Sequence, residues 1–249
     1  MYDYVFVYLP ETDPRWGEPT SEARVVQRLG ERFWTHFLKR RSDQKPALPH
    51  CGDALKQIIL LGLWNEAYDA MEFVVATLPS SFANPLREKW NELLKQENAA
   101  YRFLNNHIVE ITSDTEVTEI EDSLVSPIAP VREHIEAALA FLSNKKNPDY
   151  RNSIKESISA VESACRLIAG GKTLGDALKH IKDKIGLHPA LEKGFSALYG
   201  YTSDKGGIRH ALLDESDLDA ADARFMLFVC SAFVNFLVSK AAELGIKIG

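Results

Sequence analysis

Cysteine is scarce in these 249 residues: Cys51, Cys165 and Cys230 lie far apart, without a Cys-x-x-Cys pair. That excludes a disulfide framework and a paired-cysteine zinc site, and it is the usage of a cytoplasmic chain with reduced thiols. Histidine offers no metal either. His36, His50, His134, His180 and His188 show no His-x-x-x-His or Cys/His ligand spacing, so no metal ion is expected. No Gly-x-x-x-x-Gly-Lys phosphate loop and no serine nucleophile elbow occurs, and no cofactor is expected. Basic charge is not in excess: 29 Lys and Arg stand against 35 Asp and Glu, a net charge of -6. No global field recruits nucleic acid or anionic lipid, so RNA binding requires a local basic patch. No apolar run approaches the roughly 20 residues of a membrane span, and the start of the chain lacks the basic region of a secretory leader. No membrane partner is expected. What is present is the composition of a folded chain able to bury a core, 45% hydrophobic and 26% charged.

The pattern is predominantly helical. Residues 1–20, with three prolines and several aromatics, read as an extended arm with a short strand at 4–9. From Ser21 the apolar positions Val25, Val26, Leu29, Phe33 and Phe37 recur at helical spacing, with "LKRR" as the basic helix end. Residues 44–50 form a loop, and 53–63 and 66–78 two further helices. Asn84 followed by Pro85 reads as a helix cap and first residue, where proline's missing N–H costs nothing. The period then changes. Residues 101–111 flank Asn105 and Asn106, and asparagine tolerates the positive φ of a tight turn, so a small β-hairpin is expected. Ser113 with Glu116 is a capping-box spacing, and Ser126 and Pro127 open another helix.

The polar stretch "SNKKNPD" (143–149) is the expected boundary between a first domain, 21–146, and a second, 147–249. Beyond it Ile154, Ile158, Val161, Cys165 and Ile168 are spaced 4, 3, 4 and 3, one stripe of a helix ending at Gly170 and Gly171. Thr173 with Asp176 resembles a capping pair for the next helix, which fades at Gly186. His188 and Pro189 open a third helix. The last begins near Ser216 or Asp217, with Asp219 and Asp222 in its first turn, and is apolar around most of its circumference, as a helix buried on several sides must be. The expected fold is all-α: a helical domain with a small hairpin, then a four-helix bundle.

The segments "NPDYRNSIKESISAVESACRLI", "TLGDALKHI", "HPALEKGFSALYGYTSDKGGIRHA" and the apolar last helix resemble the HEPN-type four-helix module of AbiJ-like abortive-infection proteins. "ENAAYRFLNNHIVEIT" and its flanking helices are similar to the domain found before that module, the resemblance spanning roughly residues 20 to 240. It implies a phage-defence protein whose bundle pairs with a second copy as a homodimer and acts on RNA as a metal-independent endoribonuclease. The family motif is an Arg, often followed by Asn, Asp or His, with a second His four to six residues after the Arg. Imidazole suits proton transfer at the ribose 2′-hydroxyl and the leaving 5′-oxygen, and guanidinium suits the charge of the phosphate. Arg209 and His210 match the start of the motif, and Glu156 on the first bundle helix is the polar neighbour it implies.

The motif is incomplete. Leu213, Asp214 and Glu215 occupy the positions for the second His, and no His follows His210. Adjacent helical residues point about 100° apart, so His210 cannot simply replace it. Three readings stay open: an endoribonuclease using Arg209, His210 and Glu156; a non-catalytic HEPN-like module binding RNA, a nucleotide or a protein; and a structural oligomer. Glu156 and Glu162 also fit a solvated face with i,i+4 pairs such as Glu162–Arg166. Arg102 and His107 share the motif spacing but sit on the expected hairpin, and the runs "KRRSDQK" and "NKK" read as solvated helix ends.

Overall fold

In the computed structural model the apolar spacing from Ser21 becomes helix α1 (Ser21–Arg32), whose continuation, Phe33–Phe37, is wound as a π-helix. Residues 21–46, 48–111, 113–171, 174–203 and 218–248 are described. The arm at 1–20 with its strand, the Thr173 cap and the stretch carrying Arg209 and His210 lie outside them. The chain divides into two compact units, Met1–Ile108 and Val109–Gly249.

The wider π turn has a packing cause. Leu38 N–H reaches back five residues to Phe33 O at 2.9 Å, which turns both Phe33 and Trp34 into the core. The turn ends at Lys39, a non-glycine residue at φ +55°, beyond which Arg40 N–H bonds Trp34 O and Trp34 Nε1–H donates to Arg41 O at 2.9 Å. The Arg40 guanidinium lies 4.8 Å above the Trp34 ring.

Helix α2 (Leu48–Leu61) starts earlier than the expected 53, because Pro49 falls in its first turn, where no N–H is required. Helix α3 (Trp64–Thr77) follows. Helix α4 (Ser80–Gln96) corrects the expected cap: it starts after Pro79, and Pro85 lies inside it. Burial of Ala83, Leu86, Trp90 and Leu94 along one face, about 2 kcal/mol for each large side chain, outweighs the bond that proline cannot donate. Asn84 does not cap; its Oδ1 accepts from Arg87 Nη2. Asn98 closes α4 at φ +51°, with Ala99 N–H on Leu94 O and Asn98 N–H on Lys95 O, a Schellman arrangement. Strands β1 (Tyr101–Leu104) and β2 (His107–Glu110) then form the expected hairpin, with Asn105 at φ +49° in its turn. Asn91 on α4 pins β1, accepting from Phe103 N–H at 2.7 Å and donating to Phe103 O at 3.0 Å.

In the second unit, Ser113 caps α5 (Asp114–Leu124) and α6 runs from Ala129 to Ser143, slightly later than Ser126 suggested. Asp149 caps α7 (Tyr150–Ala169), accepting from Asn152 N–H at 2.9 Å. The whole predicted stripe of α7 is buried. Gly170 and Gly171 end it at φ +81° and +119°; a Cβ on Gly171 would stand 2.8 Å from Ala177 N, so α8 (Leu174–Ile185) packs directly against that backbone. Helix α9 (Pro189–Ser203) begins with His188 Nδ1 accepting from Ala190 N–H. The final helix α10 (Ala220–Glu243) starts with a reciprocal box: Asp219 Oδ1 accepts from Ala221 and Asp222 N–H, and Asp222 Oδ2 from Asp219 N–H.

By length and mean hydropathy, 1.8 over eighteen residues, α10 could cross a membrane, contrary to the expectation that no segment has that character. Its apolar length instead packs on α7, α5 and α6, burying Met226, Leu227, Val234 and Leu237. Helices α5 and α6 therefore belong to the C-terminal unit by packing. The 143–149 loop links the closely packed pair α6 and α7, and the division by contacts falls at Ile108/Val109, before the expected 146.

Candidate functional site

Of the three residues expected to form a site, Glu156 is the one within the described residues. It lies two turns into α7 on the flank toward α6, and its Oε2 is 2.7 Å from His134 Nδ1. Both side chains are partly exposed at the edge of the α6–α7 contact. The bond fixes the ring: with Nδ1 on the carboxylate, Nε2 is the nitrogen left to meet solvent or a ligand. Chemically, the pair is a carboxylate holding an imidazole, an arrangement suited to proton transfer and equally to tying two helices together. Linear ligand spacing does not single out His134, whose partner lies 22 residues on in the sequence. A signal existed: His134 and Glu156 stand symmetrically about Lys145 in the connecting loop, as partners in an antiparallel helix pair do, and Ser153 Oγ bonding Ala138 O follows nearly the same register.

The neighbouring carboxylate is engaged as the i,i+4 reading expected. Glu162 Oε1 pairs with Arg166 Nη2 at 2.7 Å. Arg102 is consumed by the hairpin, its Nη1 donating to Ala99 O at 2.8 Å and Tyr101 O at 2.7 Å, and it is buried. No group of His, Cys, Asp and Glu capable of holding a metal occurs among the described residues. Burial pushes the Cys165 thiol up to about 12, helped by the Glu162 charge, and burial alone does the same to Cys230, which disfavours the nucleophilic thiolate at both. Burial also raises Cys51, with Lys45 opposing it. The cleft between α7, α8, α9 and α10 is lined by Ile158, Val161, Leu178, Phe195, Leu198 and Met226. With Tyr199 as the one hydroxyl in it, such a lining suits apolar groups and supplies no positive charge for a phosphate.

No curated protein matches the chain, and no solved structure does. A family model does match, over residues 20–126, and its description is AbiJ N-terminal domain 4. The matched stretch runs from α1 through the hairpin to the end of α5, crossing the division between the units. Over that stretch, less than half of its length, the chain is similar to AbiJ-type abortive-infection proteins.

Proposed function

We propose that this is a phage-defence protein of the cytoplasm whose C-terminal helices form a HEPN-like module acting on RNA. In this reading Arg209 meets the phosphate, His210 takes part in proton transfer, and Glu156 holds the imidazole of His134 at the same module. The bundle pairs with a second copy, and the ribose 2′-hydroxyl is the nucleophile, so the reaction requires no metal of its own. The supporting observation is the combination, in one chain, of an AbiJ N-terminal match at 20–126 and, after it, helices α7 to α10 together with the "IKESISAVES" and "SDKGGIRHA" sequences that resemble the HEPN module.

The absence of a second His after Arg209 favours a different reading, in which the same module binds RNA without cutting it. Cleavage of total RNA in the presence of a chelator separates the two. On the catalytic reading the wild type cuts, and Arg209→Ala cuts at least about a hundredfold more slowly while remaining folded. Equal cleavage by the variant removes Arg209 from the chemistry. A wild type that shifts RNA in a gel and never cuts it establishes the binding module instead.

A further inference from the structure

The acidic balance of the chain hides a basic stripe. Arg24, Arg28 and Arg32 occupy every fourth position of α1, and all three are exposed. Four residues are one turn, so the step is about 6 Å along the axis, and in an α-helix the ladder turns by roughly 40° per step. The π turn at Phe33–Phe37 reverses that drift, since its residues advance by a smaller angle. It brings His36 back toward the line of the arginines, and the left-handed Lys39 then returns the chain so that Arg40 lies over Trp34. His36, Lys39 and Arg40 are exposed too.

Two nearby carboxylates among the described residues, Asp43 and Glu31, are already engaged. Asp43 holds Arg41 through two bonds, 3.0 Å and 2.7 Å, and Glu31 accepts from Gln27 and lies 3.8 Å from Lys45. Arg41 and Lys45 are therefore discounted, and so is Arg24, which has a partner of its own. Arg28, Arg32 and Lys39 form no ion pair among the described residues, and Arg40 contacts only the ring face, which leaves its charge intact.

We infer that this stripe binds the phosphate backbone of an RNA strand. Arginines rooted at steps of about 6 Å along α1 present one charge per nucleotide of an extended strand, and guanidinium forks bind phosphate oxygens through paired N–H groups. An anionic membrane is the weaker partner. An amphipathic helix holds to a bilayer by inserting its apolar face, and that of α1 is spent: Val26, Leu29, Phe33 and Trp34 are buried inside the unit. The assignment rests on the RNA reading proposed above and adds a second site to it, on the AbiJ-type segment.

The test is binding of a fluorescein-labelled single-stranded oligouridylate to the full chain over a salt series. The triple variant Arg28→Gln/Arg32→Gln/Lys39→Gln is compared with Lys179→Gln/Lys182→Gln/Lys184→Gln, which removes equal charge from α8. The stripe variant should bind at least about tenfold more weakly and lower the slope of log K against log salt by about 2, while the α8 variant does neither. Unchanged thermal melting shows that both variants fold. Equal losses in the two variants, no loss in either, or no binding by the wild type overturns the assignment. So does stripe-dependent capture of phosphatidylserine vesicles without RNA binding. RNA held by the stripe but never cut sinks the catalytic reading alone, whereas normal cleavage with stripe-independent binding sinks this one alone.

Discussion

A thiol enclosed by aliphatic side chains is a poor acid, because its anion has no water to solvate it. Cys165 and Cys230 sit in that position on the facing helices α7 and α10, and their acidities are pushed from the ordinary 9.0 up to about 12. The direction sets a pH dependence. Between about pH 9 and about pH 12 the unfolded chain releases two thiol protons that the folded chain keeps, so stability is full below this window and falls as pH rises through it. Lysine and tyrosine titrate there as well, which makes a difference measurement necessary. Urea unfolding of the wild type and of Cys165→Ala/Cys230→Ala should show a steeper alkaline loss in the wild type. Parallel curves would mean that the thiols ionise freely in the folded state. The same burial argues that oxidation or alkylation of these residues waits on unfolding, which separates them from any chemistry at His134 and Glu156.

Helix limits show where local rules succeed and where they lose to packing. The stripe on α7 was legible because its period is the helix's own and nothing along it competes. So was the hairpin, since two asparagines between apolar pairs leave few alternatives to a tight turn. Asn84 and Pro85 misled because the same dipeptide suits a helix start and a tolerated interior proline, and only the burial of Ala83 on the same face as Leu86 and Trp90 decides between them. Glu156 was expected as the neighbour of Arg209, which lies outside the described residues; the partner it does show, His134, is set by the register of α6 against α7, which no single helix encodes. The basic stripe escaped for a related reason: Arg24, Arg28 and Arg32 stand singly, and they become a row only once the helix is wound. Pro85 also yields a prediction at this scale. Pro85→Ala restores the N–H that would bond to Ser81 O and removes the ring from the helix interior. It should therefore stabilise the protein by about 1–3 kcal/mol in chemical denaturation. A neutral or destabilising outcome would indicate that the ring itself is packed favourably.

At the scale of the molecule, the family match and the packing divide the chain differently. The AbiJ-type match ends at residue 126 and so includes α5, whereas contacts assign α5 to the second unit. The interface explains the assignment. Buried Ser123 Oγ and Ser231 Oγ are 3.1 Å apart between α5 and α10, and Asn235 Nδ2 donates at 2.8 Å to both the backbone and the carboxylate of Glu119. An interior hydroxyl pair is tolerated only when each partner is held in place, so α5 and α10 order one another. Helix α10 packs on α7, α5 and α6, so its stability is tied to its neighbours. Leu237→Ala, at a fully buried position, should cost about 2–5 kcal/mol by opening a cavity in the unit. Phe225→Ala, at a side chain 54% exposed, should cost about 0.5 kcal/mol or less. If hydrogen exchange is followed in the Leu237→Ala protein, protection in α5 should fall in step with that of α7 and α10, since packing rather than the extent of the matched segment defines the cooperative unit. Retained protection in α5 alongside a loosened α10 would reverse that conclusion and make the matched segment the folding unit.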